Sequence, residues 1–285
     1  MILIGESINI MTTKIREAIK DRDPKPIQEM AIKQVEGGAH YLDINLGPAK
    51  KEGPEMMKWV IETVEEVVDV PLSLDTTNSE AIEAGLKTVK KAKPLINSIS
   101  AQTERLDKTL KLAKSYQVPF IGLILSDEGI PRDVNERADV CLRILTAAQE
   151  IDYPVEEIWF DPIIFPVSAD QKQVVEAPEF LKLLPDLVGI PNPKTTCGLS
   201  NVSNGSPQEL RPLLNKVMLM ILAEVNIYSA IVNTMDAEFM ATVKQVEQHL
   251  AQGKKPTECI TDTDVQKTLK VLRNEVMYCH SWLEL

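Results

Sequence analysis

Pro71–Ser100 reads PLSLDTTNSEAIEAGLKTVKKAKPLINSIS. Two short apolar runs, PLSLDTT and PLINSIS, flank a segment of helical period that opens on Asn78 or Ser79, either of which suits an N-cap. Each run carries a polar residue near its end, Asp75 in the first and Asn97 in the second. A strand, a helix and another strand in so short a span predict one unit of a parallel α/β fold.

The alternation continues outward in both directions. Upstream, MILIGE and YLDINLG read as strands. Between them KIREAIKDRDPKPIQEMAIKQVEGG is helical around an interruption at Pro24 and Pro26, with Gly37 and Gly38 as a stop signal. PEMMKWVIETVEEVV is the next helix. Downstream, PFIGLIL, IWFDPII, TTCGLS and YSAIVN supply the fifth to eighth strands, each with a helical segment behind it. Eight such units predict a (β/α)8 TIM barrel over residues 1–253. An open Rossmann-like sheet fits less well, because no GxGxxG follows the first strand. Residues 254–285 end in KTLKVLRNEVMYCHSWLEL, expected as a C-terminal helical extension of the same domain, packed on the barrel or on a second subunit.

Composition narrows the function. Aromatics make up only 5% of the chain, so the core must be Ile, Leu, Val, Ala and Met, as in strands buried on both faces. The net charge of −11 offers no footprint for nucleic acid or an anionic membrane surface. Cys141, Cys197, Cys259 and Cys279 form no CxxC pair, and His40, His249 and His280 are scattered, so neither a disulfide framework nor a zinc site is expected. MILIGESIN lacks a signal-peptide pattern and no window is a long apolar run, so a cytoplasmic protein is expected.

In an eightfold barrel the reactive side chains stand at the C-terminal ends of the strands. Those places hold Glu6 and Asn9, Asp43 and Asn45, Asp75, Asn97, Ser126 and Asp127, Asp161, Ser200 and Asn201, and Asn233 with Asp236. Cations are scarce among them. A phosphate site would want Lys, Arg or a glycine-rich turn, and a Schiff-base enzyme a lysine at a mouth, whereas Lys194 precedes its strand. Asp43, Asp75 and Asp161 could ligate a hard cation, but no spacing signals it and no protein-bound metal is expected. A flat heterocycle rich in donors, such as a pterin, is the better match. A carboxylate accepts from two adjacent donors at once, and an Asn amide donates and accepts together. Taken singly, each of these residues is also what a turn or a helix cap requires.

The chain resembles the pterin-binding barrel family, and within it the methyltetrahydrofolate:corrinoid methyltransferases. The resemblance runs through IGESIN, RDPKPIQEMAIKQVEGGAHYLDINLGPA, SLDTTNSEAIEAGLK, INSISA, IGLILSDEGIPRD, FDPIIFP and KTTCGLSNVSNG, in that order. It implies that Asp75, Asn97 and Asp161 hold the pterin ring and that Asn201, in the GLSN segment, is the catalytic group reaching the methyl-bearing N5. Glu6, Asp43 and Ser200 would line the pocket, and Arg211 would meet the benzoyl-glutamate tail. The implied substrates are 5-methyltetrahydrofolate or tetrahydrofolate and a corrinoid (cobalamin). The sequence holds no DxHxxG segment, so the corrinoid is expected on a partner, a corrinoid/iron–sulfur protein or a small corrinoid protein. A homodimer is the family expectation. The alternative is transfer from methyl-corrinoid to tetrahydrofolate in an O-demethylase or methylamine/betaine system. Dihydropteroate synthase is less well matched, since GLSNVSNG and LGPAKKEGP lack that enzyme's basic loops apart from Lys50 and Lys51. A non-enzymatic folate-binding protein is the remaining reading.

Overall fold

In the computed structural model, which describes residues 1–49 and 52–284, the Pro71–Ser100 stretch forms strand Leu72–Thr76, helix Ser79–Thr88 and strand Leu95–Ser100. Asn78 is the cap: its side chain accepts the Glu80 and Ala81 N–H groups, two of the donors a helix start leaves unpaired. Lys50 and Lys51 lie outside the described residues.

Among the described residues seven parallel strands are present: β1 (Ile2–Asn9), β2 (Tyr41–Gly47), β3 (Leu72–Thr76), β4 (Leu95–Ser100), β5 (Phe120–Leu123), β6 (Ile158–Asp161) and β7 (Ser229–Val232). Their order is β6-β5-β4-β3-β2-β1-β7. The expected strand at TTCGLS is not a regular one. Thr195 and Gly198 make only isolated parallel bridges, to Phe160 of β6 and Ile231 of β7. Backbone hydrogen bonds of 2.8–2.9 Å still tie residues 194–198 to β6 through Lys194 and Thr196, and to β7 through Thr195 and Cys197. This closing segment completes the ring. Pro191 and Pro193 stand before it and a 3-10 turn starts at Leu199, so too few residues remain for a longer ladder.

Helices cover the outside: α1 (Thr13–Asp21), α2 (Pro24–Glu36), α3 (Gly53–Glu65), α4 (Ser79–Thr88), α5 (Thr103–Tyr116), α6 (Val134–Glu150), α7 (Gln171–Val188), α8 (Arg211–Glu224), α9 (Ala237–Ala251) and α10 (Thr263–Leu272). The interruption at Pro24 separates α1 from α2, with Arg22 left-handed and Asp23 capping the new helix.

Strand period divides the interior from the outer core. Ile4, Leu95, Ile121 and Trp159, with Ile2, Tyr41 and Ile231 against them, form an apolar cluster apart from the main core beneath the helices. Trp159 sits edge-on to both Tyr41 and Tyr228, at 5.5 and 5.0 Å between ring centroids. Two residues further along the same strands stand Glu6, Asp43, Asn97 and Asp161. The polar mouth therefore rests on an apolar floor.

The C-terminal helix is shorter than its sequence pattern implies. It ends at Leu272, Asn274 is left-handed at φ 58°, and the Glu275 and Val276 N–H groups turn back to the Lys270 carbonyl. The chain then packs rather than coils: Trp282 is buried and its indole N–H donates to Thr268 Oγ1 at 2.9 Å. Among the described residues no helix is long and apolar enough to cross a membrane.

Candidate active site

Register places the polar residues side by side. Asp43 pairs with Ser73, Asn45 with Asp75, and Asp75 with Asn97 across β2, β3 and β4. Asp43 Oδ1 accepts from the Ser73 hydroxyl at 2.6 Å and from Asn97 Nδ2 at 2.9 Å. Asn45 Nδ2 donates to Asp75 Oδ2 while its own carbonyl accepts the Gly47 N–H at 3.0 Å, which fixes the amide's orientation. On the far side Ser200 Oγ donates to Glu6 Oε2 at 3.2 Å, joining the loop after the closing segment to β1. Asp161 ends β6, and its Oδ1 accepts the Ile163 N–H at 2.8 Å.

Burial sets the electrostatics. It pushes Glu6 up to about 7, with the Asp43 charge adding and the Ser200 hydrogen bond opposing. It pushes Asp43 up to about 6 despite hydrogen bonds from Ser73 and Asn97, and Asp161 up to about 7 despite the Ile163 N–H. Asp75 lies well above the usual carboxylate range, through burial first and then the charge of Asp43, while Arg105 pulls the other way. Cys197, buried beside Asp161, is held as a thiol by burial, so it is no nucleophile. Carboxylates so desolvated are costly unless a ligand's donors meet them.

Glu6, Asp43, Asp75, Asn97 and Ser200 thus share one hydrogen-bonded or charge-coupled set. Asn201 lies in the 3-10 turn Leu199–Ser203; its Oδ1 accepts from Asn204 Nδ2 at 3.3 Å. Arg211 starts α8, is exposed, and its Nε holds the Ser206 carbonyl at 2.9 Å. Two further residues take part, Asn45, expected at a strand mouth but with no role attached to it, and Arg105, which carries little sequence signal. Asn45 orients Asp75, and Arg105, in the first turn of α5, donates to the carbonyls of Ser98 and Thr76, one residue past the last β3–β4 pair, Asp75 with Asn97. Among the described residues no group of three or more His, Cys, Asp or Glu is disposed to hold a metal ion.

The family model for pterin binding enzymes matches residues 5–233. The chain belongs to the pterin-binding enzyme family. This pterin-binding chain is 28% identical over 249 residues to methylcorrinoid:tetrahydrofolate methyltransferase of Eubacterium limosum, covering 85% of this chain and 89% of that one. It is also 28% identical to methionine synthase of Mycobacterium leprae over 82% of its own length, but spans only 20% of that longer protein. Among solved structures, 7,8-dihydropteroate synthase from Vibrio fischeri ES114 superposes with a TM-score of 0.68 at 18% identity, over 88% of this chain and 93% of the other. At that identity the likeness is one of fold alone.

Proposed function

We propose that this chain is a methyltransferase moving a methyl group between N5 of 5-methyltetrahydrofolate and the cobalt of a corrinoid carried outside this chain. The observation that carries the reading is a mouth of raised-pKa carboxylates and oriented carboxamides on an apolar floor. The similarity to the Eubacterium limosum enzyme over most of both chains supports the chemistry.

Asp75, Asn97 and Asp161 hold the pterin edge, the carboxylates accepting its N–H donors and the carboxamide bridging donor to acceptor. Glu6, Asp43 and Ser200 complete the lining. Cob(I)alamin-type cobalt attacks the methyl carbon in line. Its electron pair forms the Co–C bond, the C–N pair stays on N5, and N5 takes up a proton. Asn201 stabilises N5 as its charge changes, since a carboxamide can donate or accept by rotation. No classical general acid is required; the proton arrives through the hydrogen-bonded network.

A synthase reading is weaker. A diphosphate site favours cations, which are scarce at the strand mouths, and Arg105 beside them already commits Nε and Nη2 to the backbone carbonyls of Ser98 and Thr76. The second reading keeps the site and reverses the direction, from methyl-corrinoid to tetrahydrofolate, which the name of the Eubacterium limosum relative favours. One assay tests both: the purified protein is mixed with 5-methyltetrahydrofolate and cob(I)alamin, or with methylcobalamin and tetrahydrofolate, and the cobalt spectrum is followed. Turnover is expected. No turnover in either direction, together with no pterin binding by calorimetry, removes the proposal.

A further inference from the structure

The loop bearing Ser200 and Asn201 is held from three sides. From the loop between β6 and α7, Val167 N–H donates to the Val202 carbonyl at 3.0 Å and Ser168 Oγ to the Asn204 carbonyl at 2.6 Å. From α8, Arg211 Nε holds the Ser206 carbonyl. The third hold comes from the far end of the chain: the Tyr278 hydroxyl donates to Ser206 Oγ at 2.8 Å, and Ser206 is buried. Tyr278 lies beyond residues 5–233, the part matched to the family.

The Tyr278 hydroxyl is not what anchors the C-terminal extension. Trp282 is already buried and bonded to Thr268. Gln171 at the start of α7 accepts the Tyr278 N–H at 2.8 Å and donates to the Val271 and Val276 carbonyls at 2.7 and 2.6 Å. Lys267 Nζ reaches the Leu283 carbonyl at 2.6 Å. With the backbone fixed by these, the phenol contributes its hydrogen bond to the loop instead. Within the loop that bond is relayed at short range. Ser206 N–H donates to the Ser203 carbonyl, Ser203 Oγ to the Ser200 carbonyl, and Asn204 N–H to the Asn201 carbonyl, each at 3.1 Å.

We propose that Tyr278 is a positioning residue: through Ser206 it fixes the turn that carries Ser200 and Asn201, so the C-terminal extension sets the geometry of the barrel mouth. The consequence for methyl transfer rests on the proposed role of Asn201; the mechanical part does not.

The test uses Tyr278→Phe, which keeps the ring beside Trp282, and Ser206→Ala, which removes the acceptor. Amide hydrogen exchange is followed at Asn201, Asn204 and Ser206, with Trp282 emission as a check that the extension remains docked. Both variants are expected to exchange about two- to tenfold faster at those amides, the scale of one neutral hydrogen bond. In 5-methyltetrahydrofolate:cob(I)alamin assays kcat is expected to fall by a similar factor, with pterin Kd unchanged and the double variant no slower than the slower single one. Unaltered exchange in Tyr278→Phe overturns the proposal. Faster exchange with an unaltered kcat overturns the positioning role. If the unmutated protein transfers no methyl group, the methyltransferase reading has failed, and the exchange data alone decide whether Tyr278 holds the loop.

Discussion

Asn97 Nδ2 donates to Asp43 Oδ1 at 2.9 Å, so the carboxamide on β4 is held by a carboxylate two strands away on β2. The same oxygen takes the Ser73 hydroxyl at 2.6 Å. One amide hydrogen of Asn97 is therefore committed and the orientation of the group is set; on the proposed reading, the other hydrogen and the carbonyl are what meets the pterin, and Asp43 acts on it through Asn97.

Removing that hold is expected to weaken pterin binding. In Asp43→Ala the Asn97 amide is free to flip, and affinity for 5-methyltetrahydrofolate should fall about tenfold, the loss of one charge-assisted hydrogen bond. Asp43→Asn keeps an acceptor oxygen and should fall less. Calorimetric titration of both variants checks the order; equal affinities for Asp43→Ala and the unmutated protein would remove Asp43 from the orienting role.

Asp161 should show opposing effects on binding and stability. It is buried at 7% exposure, with only the Ile163 N–H as hydrogen-bond partner among the described residues. An amide in its place avoids the cost of a desolvated charge but loses an ionic acceptor for two ring donors. Asp161→Asn is therefore expected to melt no lower than the parent at pH 8 and to bind pterin about 10- to 100-fold more weakly. Melting curves with and without ligand read both effects, and a variant that melts lower yet binds normally would contradict the assignment.

The pH dependence of stability follows from the same burial. Glu6 and Asp161 rise to about 7 and Asp43 to about 6, from 4.5, 3.8 and 3.8. The folded protein thus keeps protons that the unfolded chain gives up. Their contribution to stability is fully present below about pH 4 and is lost as pH rises through 6 to 7. The urea midpoint of the ligand-free protein is expected to drop between pH 5 and 8. Glu6→Gln should flatten that drop, by on the order of 3 kcal/mol at most. Pterin affinity should move the other way and strengthen as the acceptors ionise. A midpoint that climbs over this range would show the carboxylates are not desolvated.

Sequence pattern exposed some of this site and hid other parts for physical reasons. Asp75 and Asn97 are legible because strand period and the Asn78 cap locate the mouths of β3 and β4 without reference to the rest of the chain. TTC, β-branched and apolar, predicts a regular strand in the closing segment, but between Pro193 and the 3-10 turn at Leu199 only isolated bridges form. Arg105 sits in TERLDKTL, where helical period alone makes it a surface cation. Its carbonyl partners appear only once β3 and β4 are in register. Apolar residues keep a helical spacing past Leu272 and so predict a longer final helix, while the left-handed turn at Asn274 sends Trp282 back onto Thr268. Local periods are visible in sequence; partners that meet only through tertiary packing, as Arg105 and Trp282 find theirs, are not.

Gly198 offers the narrowest test of the role proposed for Asn201. Its φ of −75° suits any residue, so alanine brings no backbone strain. A Cβ there would stand 3.1 Å from Asn201 Nδ2 and 3.7 Å from its Cγ, and the amide must give way by a few tenths of an ångström. Gly198→Ala is expected to leave the melting temperature and pterin Kd nearly unchanged, because the proposal gives the ring to Asp75, Asn97 and Asp161. Methyl transfer in a single turnover should slow about tenfold, since small misplacements of a reacting group are costly. Asn201→Ala, which removes the group itself, should slow it roughly 10²–10³-fold. Rapid mixing with cob(I)alamin measures both. Normal transfer by Asn201→Ala would end the role given to that residue, and Gly198→Ala slower than Asn201→Ala would mean that the crowding acts on something other than the Asn201 amide.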